Sequence, residues 1–227
     1  MNDYDISALI PVYNTDRFIR ESIESVLDQT FPPVEIVVFD DGSTDGSANV
    51  VKSFGDRVRY LGPERVGFVV ARNRLVSEAR CDWIAFQDAD DIWTADKLEK
   101  QVAYLRESPG IEACLGLAEQ FLEPGCEAPS TVKDGFFEEA TAQFYIQNLL
   151  ASREVFSIVG DFLEDALGPD SDWFARAKDR HVSIGVVNEV LFRRRWHDSN
   201  ISNDFHFKSA MLDILRRSIN RKKEEYQ

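Results

Sequence analysis

Trp83-Ile84-Ala85-Phe86 runs straight into Gln87-Asp88-Ala89-Asp90-Asp91. Four apolar residues in a row suit a strand buried on both faces, and carboxylates cannot share that burial without partners. The chain must therefore leave its core between Phe86 and Asp91. The same pattern occurs upstream. Ile6 to Val12 is a short apolar run closed by Pro11 and Asn14. Val34 to Phe39 is β-branched and apolar, and breaks at Asp40-Asp41-Gly42-Ser43. Val58 to Leu61 is a further short run. Between these runs the apolar residues return at helical spacing. Asp16 to Gln29 carries Phe18, Ile19, Ile23, Val26 and Leu27, with Asp16 placed as N-cap. Asp45 to Phe54 and Gly67 to Ala79 read as two more helices, and Ala95 to Arg106 as a helix opened by Asp96. Alternating strands and helices over about the first 110 residues predict βαβ units and a largely parallel sheet. Such sheets bind ligands beyond the carboxyl ends of their strands. Pro11-Val12-Tyr13-Asn14, Asp40-Asp41 and Asp88-Ala89-Asp90-Asp91 all fall there.

The second half is less regular. Glu123 to Asp134 reads as a loop, Glu138 to Leu150 as a helix, and Ser152 to Phe162 as helical or mixed. Asp172 to Arg180 reads as a short helix and Val182 to Phe192 as one long strand or a pair. Asp204 to Glu225 is a final amphipathic helix. There is no internal repeat and no low-complexity segment.

The 227 residues hold 26 Lys and Arg against 40 Asp and Glu, a net charge of −14. That balance excludes non-specific nucleic-acid binding, which needs a basic footprint, but leaves room for a nucleotide held through a cation. Cys81, Cys114 and Cys126 are odd in number and far apart, which predicts no disulfide or zinc site, and Cys81 and Cys114, beside apolar runs, read as core thiols. The acidic start, Met1 to Asp5, is unlike a signal peptide, and no apolar run is long enough to span a bilayer. A cytoplasmic protein is the expectation. Arg216, Arg217, Arg221, Lys222 and Lys223 form a basic cluster near the end. It suits a solvated helix terminus, and a weak peripheral membrane contact is the alternative.

Asp88, Asp90 and Asp91 repel one another, and a divalent cation at a strand mouth would relieve that. Oxygen-only ligands suit Mn²⁺ or Mg²⁺. Asp40 and Asp41 close the second strand with more carboxylate than a turn needs; one of them can accept a pyrimidine N–H. Gly67-Phe68-Val69-Val70-Ala71-Arg72-Asn73 is neither a dinucleotide fingerprint nor a Walker loop. It places Arg72 on a helix surface, against a base, or paired with Asp40 or Asp41.

Taken in order, these pieces resemble the family 2 glycosyltransferases. The matching segments are Ile10 to Asn14, Ser25 to Thr30, Glu35 with Asp40 to Asp45, and Gly67 with Ala71-Arg72-Asn73. Trp83 to Asp91 then leads into Lys97-Leu98-Glu99. The resemblance implies a GT-A fold: one α/β domain over 1–227 with a mostly parallel central sheet flanked by helices. Residues 1–110 would form the donor half, and 111–227 a short acceptor half with the C-terminal helix. It implies an inverting enzyme that moves a sugar from a nucleotide-sugar donor, most often a UDP-sugar, to a glycan, lipid-linked or peptide acceptor. Pro11, Tyr13, Asp40, Asp41 and Arg72 would hold the base, Asp88 the ribose or metal shell, and Asp90 the metal.

The looser resemblance continues through Arg153 to Phe162 into Asp170 to Arg176. Pro169 stands where the family usually has Glu. The spacing to Arg176 carries the catalytic base onto Asp170 and leaves Asp172 in play. Arg193 to Ser202 is similar to the family's closing pattern, whose histidine, here His197, joins the metal or diphosphate shell. Two rival readings are a nucleotidyltransferase, which should carry a basic glycine-rich loop where Tyr13 to Asp16 stand, and a non-catalytic nucleotide-sugar-binding relative.

Overall fold

The computed structural model describes residues 4–128, 136–137, 140–142, 144–200 and 207–224. Its first strand, β1 (Ile6–Val12), is the spine of the sheet. Alternate residues of β1 face opposite ways, as strand geometry requires. Ile6, Ala8, Ile10 and Val12 join a core with α1 (Ile19–Leu27), α2 (Ser47–Lys52) and α4 (Lys97–Glu107). Leu9 faces the other way. It joins α3 (Phe68–Glu78), α5 (Arg153–Val159) and α6 (Pro169–Asp179). Helices thus cover both faces. Ser7, buried among apolar neighbours, is satisfied by donating to Glu35 Oε1 (2.7 Å) and accepting from Cys81 N–H (3.1 Å).

The other strands are β2 (Glu35–Asp40), β3 (Arg59–Leu61), β4 (Trp83–Phe86), β5 (Ile92–Trp93), β6 (Ala113–Leu122), β7 (Thr141–Ala142), β8 (Leu150–Ser152) and β9 (Ile184–Trp196). Among the described residues they form one sheet in the order β3-β2-β1-β4-β8-β6-β9-β5, with β7 on β6. The β3-β2-β1-β4 half is parallel, as expected, and so is β6 with β9. The register sets Val12 beside Asp40 and Leu9 beside Phe86. Asp41 N–H donates to Val12 O (2.8 Å) and Gln87 N–H to Leu9 O (2.9 Å). Three carboxyl ends therefore open at one edge of the sheet. No helix among the described residues is long and apolar enough to cross a membrane.

The predicted helix over Glu138 to Leu150 is absent among its described residues. Ile146–Asn148 is a single 3₁₀ turn, and the chain then enters β8, between β4 and β6. Asn148 explains the departure. Its side chain accepts from Gly116 N–H (3.1 Å) and donates to Gly116 O (2.6 Å), as a neighbouring strand would. Gly116 has room for no side chain, since a Cβ there would lie 2.3 Å from Leu191 Cγ. Asp16 also differs from expectation. α1 begins at Ile19, and Asp16 Oδ2 accepts from Gly46 N–H (3.2 Å), while Asp45 Oδ2 accepts from Asp16 N–H (3.0 Å). The two carboxylates pin one loop to the other.

Lys97 is wholly buried. Its ammonium donates to Gln101 Oε1 (2.6 Å) and lies 4.4 Å from the Trp93 ring centroid. Burial pushes it from the ordinary 10.5 down to about 7. The folded form sheds this proton before the unfolded chain does, so its contribution to stability rises with pH across that window. Lys97→Met should remove the slope: the urea stability of the parent relative to the variant should climb from about pH 7 to about pH 10. A difference that stays flat with pH would count against a lysine that loses its charge on folding.

Candidate active site

The edge where β1, β2 and β4 end holds two groups of side chains. The first lies beyond β1 and β2. Asp40 is fixed at both oxygens, Oδ1 accepting from Ser43 N–H (2.8 Å) and Oδ2 from the Tyr60 hydroxyl (2.7 Å). Burial and the Asp40 carboxylate together push the Tyr60 hydroxyl upward, so it stays a donor. Asp41 Oδ1 accepts from Val66 N–H (2.6 Å) and Gly67 N–H (2.9 Å), and Oδ2 pairs with Arg65. The Arg65 guanidinium lies 3.8 Å from the centroid of the exposed Tyr13 ring. Gly42 makes this approach possible. It sits at φ +73°, and a Cβ would meet Arg65 Cβ at 3.0 Å. Pro11, Tyr13, Asp40 and Asp41 are thus neighbours, with the start of α3 held against them.

The second group lies beyond β4. Gln87 Nε2 donates to Asp91 O (2.6 Å) and to Ser22 Oγ (3.1 Å), closing the turn that gathers the carboxylates. Ligand oxygens of Asp88, Asp90 and Asp91 lie within 4.8 Å of one another. Their environments differ. Asp91 is buried, with Oδ1 accepting from Arg195 N–H (2.9 Å) and Oδ2 from Gln147 Nε2 (3.2 Å). Burial, then the charges of Asp90 and Asp88, push its carboxyl well above the usual range. Asp90 Oδ2 lies 3.0 Å from His197 Nε2 and accepts from Asn200 Nδ2 (3.4 Å). Asp88 Oδ1 accepts from Arg72 (2.9 Å). Burial raises the Asp88 carboxyl, Arg72 opposes that, and Asp90 and Asp170 add to it. Asp88 Oδ2 and Asp90 Oδ1 have no donor among the described residues. Two open, mutually repelling carboxylate oxygens beside an imidazole are a donor set that fits a hard divalent cation.

Arg72 departs from the sequence reading. It pairs with Asp88 and with Asp170, which lies 98 residues further on, and not with Asp40 or Asp41. Its guanidinium is buried and lies 4.5 Å from the Phe68 ring centroid. Desolvation works against its charge, but Asp170 and Asp88 more than offset that. Arg72 thus brings the N-terminus of α6 to the carboxylate cluster. Asp172 is not part of this group. It has no exposed surface, and its Oδ2 accepts from Arg176 Nε (2.8 Å).

Several contributors carried no signal in sequence. Arg195 Nε donates to Asp90 O (2.9 Å), and its guanidinium also pairs with Glu21 and Glu123. Arg194 donates to the Tyr145 hydroxyl (2.8 Å) and is raised by Tyr145, Asp91, Asp88 and Asp90 against its burial. Nothing in the run Arg193-Arg194-Arg195 distinguishes these roles. Ser202, at the end of the predicted closing pattern, lies outside the described residues.

The model of the family "Glycosyl transferase family 2" matches residues 7–151. The chain is 38% identical over 107 residues to the putative teichuronic acid biosynthesis glycosyltransferase TuaG of Bacillus subtilis, covering 45% of this chain and 42% of the relative. It is 42% identical over 107 residues to WfgD of Escherichia coli, described as UDP-Glc:alpha-D-GlcNAc-diphosphoundecaprenol beta-1,3-glucosyltransferase, covering 46% of this chain and 42% of WfgD. These alignments span less than half the length of either relative. Among solved structures, S. aureus TarS 1-349 in complex with UDP-GlcNAc superposes with a TM-score of 0.69 at 20% identity, over 88% of this chain and 61% of that one. The mannosyltransferase PcManGT from Pyrobaculum calidifontis, in complex with GDP-Man and Mn²⁺, gives 0.70 at 18% identity, over 95% of this chain and 64% of its own. The fold is the GT-A type.

The geometry separates the three carboxylates by task. Asp88→Asn and Asp90→Asn should each weaken Mn²⁺ binding in titration calorimetry by roughly ten-fold or more. Asp90→Asn should do so with little loss of thermal stability, whereas Asp88→Asn should also lower the melting temperature, because it takes one of two counter-charges from buried Arg72. Asp91→Asn should lower the melting temperature while Mn²⁺ affinity largely survives, because its oxygens hold Arg195 and Gln147. Equal loss of Mn²⁺ affinity in all three would refute the division.

Proposed function

Since the chain belongs to glycosyl transferase family 2, we propose that it moves a sugar from a nucleotide-sugar donor to an acceptor hydroxyl by single displacement with inversion. The observation that carries this reading is the Arg72 bridge, which sets Asp170 beside the Asp88–Asp90 cluster. Donor phosphate and acceptor base are needed together, and the bridge supports that juxtaposition.

In this reading residues 1–110 are the donor half of a single domain. The exposed Tyr13 ring, backed by Arg65, offers a stacking face to the base, with Pro11 below it. Asp40 and Asp41 fix the loop edges around the base, and Asp41 holds the 66–67 backbone in place. A UDP-sugar is the donor favoured here, as the TarS complex contains UDP-GlcNAc. Mn²⁺ or Mg²⁺ would be held by Asp90 and Asp88, with His197 at the edge of its shell. Such a cation supplies charge neutralisation to a departing diphosphate. Arg194 adds positive potential on the same side.

Residues 111–227 are the acceptor half. Asp170 sits in the first turn of α6, where Pro169 is well suited to the first helical position and its ring fixes the backbone. Asp170 removes the proton of the attacking hydroxyl. Arg72 aligns that carboxylate while also pairing with Asp88. The acceptor in this reading is a glycan, a lipid-linked sugar or a peptide. WfgD, whose described acceptor is diphosphoundecaprenol-linked, favours the lipid-linked class. The loop after β1 does not favour a nucleotidyltransferase. Asn14 accepts from Thr44 N–H (2.8 Å) and Asp16 from Gly46 N–H (3.2 Å), so its side chains brace the neighbouring loop.

Asp170→Asn should bind UDP–Mn²⁺ like the parent and transfer sugar roughly 10²–10⁴-fold more slowly. Asp172→Asn should unfold more readily, since it leaves Arg176 and Arg221 short of a buried counter-charge, yet keep its turnover per folded molecule. Transfer undiminished in Asp170→Asn would remove it as the base.

A further inference from the structure

Among the described residues the last helix, α7 (Phe207–Glu224), packs through one side. Ile214 is buried there. Arg217 pairs with Asp213 and Asp165, and Ser218 and Arg221 bond to Asp179 of α6. Arg221 also lies 3.6 Å from Asp172. Among the described residues nothing covers the opposite side. Met211, Leu212, Leu215 and Ile219 are 41%, 68%, 52% and 54% exposed. Met211, Leu215 and Ile219 repeat every fourth residue, so they form a single stripe, with Leu212 alongside. Arg216 follows Leu212 by four residues and Lys223 follows Ile219 by four, so both border the stripe, and both are exposed. No described exposed side chain of α7 is acidic. This occurs in a chain of net charge −14.

We propose that the outer side of α7 lies flat on an anionic lipid surface, with Met211, Leu212, Leu215 and Ile219 in the interface and Arg216 and Lys223 against the headgroups. An apolar stripe beside a basic ridge is the pattern that such a surface rewards. Charge complementarity selects this occupant over a second copy of the chain. A two-fold pairing through the stripe would bring each basic ridge against its counterpart and two strongly acidic bodies together. The acidity of the rest of the molecule does not oppose lipid contact strongly, because charges beyond a Debye length, about 8–10 Å, are screened. The docked helix braces α6, the helix that carries Asp170, so the contact would hold the acceptor half near the surface where a lipid-linked sugar resides. That consequence rests on the glycosyltransferase reading; the contact itself does not.

The test is flotation of the whole chain with phosphatidylcholine vesicles, with and without roughly one-quarter phosphatidylglycerol, at low and high salt. The parent should float with the anionic vesicles and be released by salt. Leu215→Glu with Ile219→Glu should lower the bound fraction roughly ten-fold or more, and Arg216→Glu with Lys223→Glu should abolish the preference for anionic lipid. All these positions are exposed, so melting temperature and UDP–Mn²⁺ affinity should match the parent. Loss of UDP–Mn²⁺ binding by the parent itself would instead strike the donor reading and leave the lipid result standing. A parent that stays unbound to anionic vesicles, or a Leu215→Glu/Ile219→Glu variant that floats as well as the parent, overturns the proposal. So does a parent that is dimeric without lipid and becomes monomeric in that variant.

Discussion

A buried guanidinium shared by two carboxylates is the constraint on which this site turns. Arg72 has lost nearly all contact with water, and a lone buried cation is costly. It is tolerable only while Asp88 and Asp170 both face it. Asp88 sits at the mouth of β4, Arg72 in α3 and Asp170 at the start of α6. Three elements far apart in sequence are thus tied by one charge balance, and removing one partner from such a group typically costs about 3–5 kcal/mol. A cation drawn to Asp88 would change what Arg72 must balance, and Asp170 would be the group left to it.

The second constraint is repulsion among Asp88, Asp90 and Asp91. The fold handles each carboxylate separately. Asp91 is drawn inward and bonded to the backbone of Arg195 and to Gln147. Asp90 is steadied by His197 and Asn200, while Arg195 holds its backbone carbonyl. Arg195 in turn is held by Glu21 of α1 and by Glu123 just beyond β6. The cluster is therefore set by β9 and its following turn, which sit more than a hundred residues away, as much as by β4.

That distance explains what could and could not be seen in sequence. Over the first hundred residues strands and helices alternate with clear period, each burying its own stripe, so local pattern and tertiary structure agree. Boundaries shifted by a few residues where a side chain bonded elsewhere, as Asp16 does to Gly46. Beyond residue 110 the agreement is uneven. The helix before Arg180, the long strand after Val182 and the last helix follow their patterns, but the helix expected up to Leu150 gives way to a 3₁₀ turn and β8, with Asn148 paired to the backbone of Gly116. No periodicity encodes that contact. The site divides in the same way. The strand-end carboxylates could be picked out because they interrupt apolar runs. The partner of Arg72 could not, because it depends on how α6 docks. The roles of Arg194, bonded to Tyr145, and of Arg195, bonded to the Asp90 backbone, were hidden in a run of three arginines.

The same docking bears on the choice between Asp170 and Asp172. Both acids lie in the first turn of α6, and both gain from its dipole. They are two residues apart, so they cannot share a face. Trp173 is packed under the helix, donating to Gly160 O (3.2 Å) and stacked near Phe156 and Phe162, and this fixes the rotation of α6. With that rotation set, Asp172 falls inward to Arg176 and Asp170 falls toward Arg72. Pro169 contributes by starting the helix at a defined point. A residue that looked like a defect in the motif is, in the fold, well suited to the first position of the helix that aims Asp170.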